Sequence, residues 1–470
     1  LGILVVAVHG AGLATAVAAV IRTRTPQGAA AWAVGLAVMP WLALPLYVVF
    51  GRDKFRGYKR ARRRGEIPAG EWAARMAPTM QGNRSHPGPM VRRFAVLERL
   101  GAMPFTKGNA AGLLRDGPDT FEAIIRAVER AERYVLMQFY IVRNDGLGRR
   151  IGKALKDAVA RGVPVCFLYD EVGSSRLDEA YVADLRDAGV DMRPFRTRRG
   201  MANKFQINFR NHRKIVVVDG VTCFVGGHNV GDEYLGESER FGPWRDTHVR
   251  VDGPVVPSVQ LAFCEDWHWA ADGVPGELDW APDPVADPGL DALALPTGPA
   301  DELETCALFF THAIHSAKRR LWIATPYFVP DSQVLGAILL AAMRGVDVRI
   351  ILPQRPDHLL VYLAAFAYLD EAERAGVHVY RYQPGFMHQK VLLVDDDFTA
   401  VGTANLDNRS LRLNFEITMA FAGSEFAAQV AAMLKDDLEH CELFTASELA
   451  HKPWPFRLAC RVARLLSPIL

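Results

Sequence analysis

The chain has 470 residues, and its 55 Lys and Arg against 53 Asp and Glu give a formal charge of +2. That length predicts more than one domain, and near-neutrality argues against a bulk nucleic-acid binder, which would carry a basic surplus. Half of the residues are hydrophobic, which excludes a disordered chain, and six cysteines without a C-x-x-C pair exclude a disulfide framework or a thiolate zinc site and predict reduced thiols.

The first predicted elements are apolar. Residues 1–21 carry no charge, and Thr25 to Gly51 form a second uncharged run. Each is long enough to cross a hydrocarbon core of about 30 Å, which takes roughly 20 helical residues. Pro40 and Pro45 are read as kinks in the second helix. A short turn carrying Arg22 and Arg24 joins the two, which predicts a transmembrane helical hairpin over residues 1–51. A cleaved signal peptide followed by a buried helix is the competing reading.

Eight bases follow within GRDKFRGYKRARRR: Arg52, Lys54, Arg56, Lys59, Arg60, Arg62, Arg63 and Arg64. Eight against two places the downstream body on the cytoplasmic side of the cell membrane, as a multi-pass protein. The same cluster is expected to attract an anionic membrane surface, at about 1 kcal/mol per basic residue. With Asp53 it accounts for +7 of formal charge, so the rest of the chain is net acidic. A polyanion groove is hard to build from such a remainder, and nucleic acid is not an expected partner.

Residues 76–93, rich in Pro, Gly and Arg, read as a loose stretch. Helical and strand-like runs then alternate. Phe121 to Arg133 has helical spacing, 134–142 is β-rich, a helix ends over Asp157 to Gly162, and VPVCFLYD reads as a buried strand. Such alternation predicts βαβ units and a mainly parallel sheet. The pattern then repeats: AVARGVPVCFL (158–168) aligns with AAMRGVDVRII (341–351), and LRDAGVDMRPF (185–195) with AERAGVHVYRY (372–382). The expected organisation is therefore a hairpin (1–51), a basic collar and linker (52–104), a first lobe (105–270), a Pro- and Asp-rich linker (271–300), a second lobe (301–446) and a basic apolar tail (447–470).

Each copy contains one instance of H-x-K-x4-D-x6-G-[GT]-x-N. The first supplies His212, Lys214, Asp219 and Asn229; the second supplies His388, Lys390, Asp395 and Asn405. Side chains at i and i+2 of a strand share a face, so each His stands beside its Lys. The Asp has the opposite parity and is expected to support the site rather than transfer protons. Gly226-Gly227 and Gly402 suit a turn that brings backbone close to a ligand. Two imidazoles can divide nucleophilic and acid/base work, while two ammonium and two amide groups bind the non-bridging oxygens of a phosphodiester. No metal or other cofactor is called for, and a protonated Lys in each copy is a poor metal ligand. His228, His248 and His315 lack comparable spacing and are read as ordinary residues.

These paired motifs resemble the HKD signature of the phospholipase D superfamily. QFYIVRNDGLG (138–148), GGHNVGDEYLG (226–236), WRDTH (244–248), TPYFVPD (325–331), residues 387–417 and the FGRDK after the hairpin are similar to segments of bacterial cardiolipin synthases. The resemblance implies an α/β fold of two pseudo-symmetric phospholipase D-like lobes, a duplicated mixed sheet flanked by helices, with one active site between them. It implies a phosphatidyltransferase that turns two phosphatidylglycerol molecules into cardiolipin and glycerol through a phosphatidyl-histidine. His212 is then expected to be the nucleophile and His388 the acid/base, with Glu416 the acidic partner of His388 and Asp246 that of His212. Thr403 stands where the first copy has Gly227. A phospholipase D, a phosphatidylserine synthase and, with less support, an HKD nuclease are the competing activities, and a homo-oligomer is compatible with all of them. The tail, with Arg457, Arg461 and Arg464 amid apolar residues, reads equally as a helix on the membrane surface or one packed on the body.

Overall fold

The computed structural model describes residues 2–23, 25–51, 54–63, 67–85, 88–197, 208–271, 273–287 and 289–470. Arg24, Arg52, Asp53 and Arg64 lie outside the described residues, as do the side chains of Arg56, Arg60 and Arg63.

The first lobe contributes strands β1 (Thr106–Arg115), β2 (Val135–Phe139), β3 (Val165–Asp170), β4 (Asp191–Phe195), β5 (Arg210–Asn211), β6 (Ile215–Val218), β7 (Thr222–Gly226), β8 (Trp244–Arg245) and β9 (Thr247–Asp252). The second contributes β10 (Leu290–Thr297), β11 (Arg320–Ala324), β12 (Phe328–Val329), β13 (Asp347–Pro353), β14 (His378–Tyr382), β15 (Phe386–Met387), β16 (Val391–Val394), β17 (Phe398–Gly402), β18 (Leu406–Asp407), β19 (Asn414–Ala422) and β20 (Cys441–Leu443). Among the described residues, one sheet runs through both lobes in the order β20-β14-β13-β11-β16-β17-β19-β10-β1-β9-β7-β6-β2-β3-β4. From its centre, where β1 and β10 pair antiparallel, the order outward is equivalent on each side, as a duplicated unit requires.

The sheet is mixed rather than mainly parallel. Within the large sheet, parallel pairing inside each lobe is confined to β2-β3-β4 and β11-β13-β14, the strands joined by helical crossovers, and β12 pairs parallel with β18 in a separate two-stranded sheet. Each strand that follows a His-x-Lys motif instead turns back on itself, β6 onto β7 and β16 onto β17. A short hairpin connection permits only the antiparallel arrangement. Asp219 (φ 55°) and Asp395 (φ 52°) supply the left-handed residue in these turns.

Gly2–Arg22 is long and apolar enough to cross a membrane. The second apolar run is broken: Met39 leaves helical geometry, and Pro40 opens a new helix, giving Pro26–Val38 and Pro40–Phe50. The expected hairpin, with a second crossing helix kinked at Pro40 and Pro45, is thus not confirmed. The broken run does pack on the first helix, so closely at Gly12 that a Cβ there would lie 2.3 Å from the Leu36 carbonyl.

The stretch read as loose is largely helical, over Ala69–Gly82 and Pro89–Phe94. Trp72, Met76 and Met80 recur every four residues and bury one face in the central core, which outweighs Pro78 inside that helix. Part of the basic collar is also built into the body. Phe55 is fully buried against Phe209, Trp269 and Phe415, and the Tyr58 hydroxyl donates to Asp266 at 3.0 Å. Arg62 pairs at 2.9 Å with the buried Glu265, so it is committed to the body rather than free for lipid. Tyr58→Phe removes a hydrogen bond to a buried charge, and about 1.5–3 kcal/mol of stability is expected to go with it in denaturant unfolding.

Candidate active site

Both His-x-Lys segments enter the crevice where the lobes meet. Each is fixed there by strands of the opposite lobe. β5, just before His212, pairs parallel with the start of β19, and the His212 amide donates to the Phe415 carbonyl at 2.9 Å. β15, just before His388, pairs with β8, and the His388 amide donates to the Arg245 carbonyl at 2.7 Å. The residue that follows each accepting carbonyl is an acid.

The acidic partners are therefore exchanged relative to the sequence expectation. His212 Nδ1 meets the Glu416 carboxylate at 2.9 and 3.0 Å, and His388 Nδ1 meets Asp246 Oδ2 at 2.7 Å. Each imidazole is oriented by a carboxylate from the other half of the chain. Proximity in sequence suggested the same-lobe pairing of Glu416 with His388 and Asp246 with His212; strand pairing across the pseudo-twofold decides otherwise. With Nδ1–H given to a carboxylate, Nε2 is the nitrogen left for chemistry.

Lys214 and Lys390 are buried beside their histidines. Lys214 Nζ donates to the His212 carbonyl at 2.7 Å and lies over the Tyr140 ring, whose edge meets the His212 imidazole. Lys390 Nζ donates to the His388 carbonyl and sits 2.9 Å from His388 Nδ1. Asn229 is engaged by its surroundings, accepting from the Ile141 amide and donating to the Tyr234 hydroxyl, while the buried Asn405 oxygen has no hydrogen-bond partner among the described residues. Asp219 and Asp395 are not brought to the histidines. They lie in the turns at the far ends of β6 and β16 and accept backbone amides of 132–134 and 318–320 respectively. They fix the start of β2 and β11 against the motif strand.

Several contributors carried no signal of their own in the sequence. The residue between each His and Lys anchors its loop on a long helix. Arg213 pairs at 2.8 Å with Asp266 of Val256–Ala271, the carboxylate that Tyr58, Gln138 and Asn211 also reach. Gln389 donates to Asp437 of Ser424–Glu439, which Arg245 holds bidentately. The substitution at the Gly-[GT] position follows from the acids. A Cβ on Gly227 would lie 2.0 Å from Asp246 Oδ1, whereas the Thr403 hydroxyl donates to Glu416 at 2.6 Å. His228 and His248 are buried ring to ring behind this layer and do not line the cleft.

His212, His388, Asn229 and Asn405 line one cleft of about 440 Å³, walled by Tyr140, Tyr234, Trp244 and Tyr327 and edged by arginines including Arg143, Arg240 and Arg409. Burial controls its electrostatics. It pushes His212 down to about 4, with the neighbouring lysines acting in the same direction and Glu416 opposing them. Burial and Lys390 hold His388 well below the usual histidine value. Burial lowers Lys390 to about 8 and Lys214 well below its normal range. For Glu416 burial alone would raise the value, but His212, Lys214 and Thr403 outweigh it and hold it low. The site thus disfavours its own positive charges, and an anion placed among them reverses that sign. An anionic phosphodiester meets this requirement.

A family model described as cardiolipin synthase, phospholipase D-like domain, matches residues 124–239 and 310–438. Cardiolipin synthase A of Pseudomonas fluorescens strain Pf-5 is 48% identical over 475 residues, covering 100% of this chain and 98% of the relative. Cardiolipin synthase A of Pseudomonas putida strain W619 is 49% identical over 469 residues, covering 98% of this chain and 97% of the relative. Among solved structures, a phosphatidylserine synthase from Haemophilus influenzae Rd KW20 superposes with a TM-score of 0.60 at 17% identity, over 81% of this chain and all of that one. A polyphosphate kinase from Porphyromonas gingivalis gives 0.51 at 12% identity, over 76% and 52% of the two chains. At such identities the structural likeness concerns the fold.

Proposed function

The chain belongs to the cardiolipin synthases of the phospholipase D superfamily, and from that membership we propose that it joins two phosphatidylglycerol molecules through a phosphatidyl-histidine. It is a phosphatidyltransferase. The observation that carries the two-step scheme is the cross-lobe arrangement, in which each of two imidazoles has Nδ1 on a carboxylate and both rings line a single cleft.

In the first step His212 Nε2 attacks phosphorus. The bond to the glycerol headgroup breaks, and the leaving oxygen takes a proton from the His388 imidazolium. The bound phosphodiester is what raises His388 into its charged form. In the second step neutral His388 takes the proton from a glycerol hydroxyl of another phosphatidylglycerol. That oxygen attacks phosphorus, the N–P bond breaks, and cardiolipin leaves with both histidines restored. Lys214 and Lys390 stabilise charge on the non-bridging oxygens in both steps. The firm hold on Glu416 by Thr403 and Asn414 supports His212 as nucleophile. The apolar hairpin anchors the body in the cell membrane, with the body on the cytoplasmic side beside the basic collar.

The test is incubation of purified protein with labelled phosphatidylglycerol in chelator, with products resolved by mass. Cardiolipin and free glycerol are expected; phosphatidic acid alone would make the enzyme a hydrolase. A requirement for one divalent ion on a soluble short-chain substrate would overturn the role given to the lysines.

The pH profile offers a second test. Rising pH removes positive charge from Lys390, so kcat/KM, which reports the free enzyme, is expected to fall as pH passes about 8. Bound phosphodiester favours the protonated lysine, so kcat should persist to higher pH. A kcat/KM flat from pH 6 to about 10 would exclude Lys390 as the charge that matters.

A further inference from the structure

The C-terminal helix Trp454–Leu465 carries a surface that the chemistry above does not use. At 3.6 residues per turn, Trp454, Leu458, Val462 and Leu465 fall on one face. They are 73%, 52%, 52% and 78% exposed. Cys460 and Ala463, on the opposite face, are buried against the body, where the helix packs on Leu359–Arg374. Between these faces run Arg457, Arg461 and Arg464. Arg464 is shared with Glu371, whereas Arg457 and Arg461 form no ion pair among the described residues. Together with Arg374, these arginines line a groove of about 580 Å³ that contains only two acids, Asp370 and Glu371.

An outward apolar stripe with an uncompensated basic shoulder, on a helix already fixed by its third face, matches the boundary between headgroups and acyl chains. The helix is continuous with the site. Leu470, shortly after it, lines the catalytic cleft, and its carbonyl accepts from the Arg409 amide. The packed helix begins with exposed Leu359 and Leu360, directly after the cleft residues Asp357 and His358.

We propose that this helix docks the catalytic body on an anionic phospholipid bilayer, the stripe entering the acyl boundary and Arg457 and Arg461 receiving lipid phosphates. The cleft mouth at Leu470 and His358 is thereby held at headgroup level. This rests on the reading that the substrate is a membrane lipid, but its test needs no turnover.

An environment-sensitive fluorophore is attached at Leu458→Cys in the full-length chain carrying Cys441→Ser, since the other native cysteines are buried. The protein is placed in vesicles of phosphatidylcholine with or without phosphatidylglycerol. Blue-shifted emission, quenched by brominated lipid, is expected with phosphatidylglycerol. It should be lost at high salt and in Arg457→Glu/Arg461→Glu. Emission characteristic of water in both vesicle types, with the N-terminal helices inserted, overturns the proposal. So does a blue shift that appears in detergent and grows with protein concentration, because a second copy would then cover the stripe. Cardiolipin formation is scored on the same vesicles. A buried label without cardiolipin defeats the catalytic reading and leaves the docking surface standing; cardiolipin with an exposed label does the reverse.

Discussion

His212→Ala is expected to abolish covalent phosphatidylation with every donor, because the N–P bond then has no nitrogen on which to form. His388→Ala is expected to leave slow phosphatidylation of His212, most visibly with a donor whose leaving group needs no protonation. Its turnover of phosphatidylglycerol should fall by about 10²–10⁴, the usual contribution of a positioned acid/base. Trapping at a pH that spares the acid-labile N–P bond, followed by peptide mapping, reads the result. Label on the His388 peptide alone would reverse the two roles while keeping two steps. Wild type that forms no adduct, with both variants inactive, would mean direct transfer between lipids.

The exchanged carboxylates are expected to separate the two half-reactions. Glu416→Gln removes the charge behind His212, so adduct formation should slow even with an activated donor. Asp246→Asn acts through His388 and should spare adduct formation from that donor while slowing transfer to the acceptor lipid. Both losses are expected to be about 10²–10⁴ in the affected step, because an amide neither stabilises imidazolium nor enforces the Nδ1–H tautomer. Rapid-quench measurement of adduct and cardiolipin in each variant decides the pairing. The opposite pattern, with Asp246→Asn blocking adduct formation, would mean that the histidine roles, and not only their partners, are reversed.

The collar shows how far a reading by composition extends. Its eight bases are visible as charge, and charge alone suggests lipid attraction. The structure ties Phe55, Tyr58 and Arg62 into the support beneath His212, through Phe415, Asp266 and Glu265. Neutralising Arg62 therefore disturbs a partner of a buried carboxylate as well as the surface. Nothing in a run of basic residues distinguishes those, such as Arg62, Lys59 and Lys54, whose partners lie two hundred or more positions away.

The duplicated lobes, the two His-x-Lys pairs and the structural character of their aspartates are legible in the chain itself because they are local. The i, i+2 spacing puts His beside Lys in the segment that leads into β6 or β16, and parity turns the Asp away. What the chain order misplaced was the pairing of His212 with Glu416 and His388 with Asp246. That pairing is made where β5 meets β19 and β8 meets β15, between segments separated by more than a hundred residues. The helix through Pro78 has the same origin, since packing in the central core decides it, whereas the break at Met39-Pro40 is local to the proline. Periodicity along a strand specifies which side chains point together; which lobe lends its acid to which histidine is set only when the two halves close on one another.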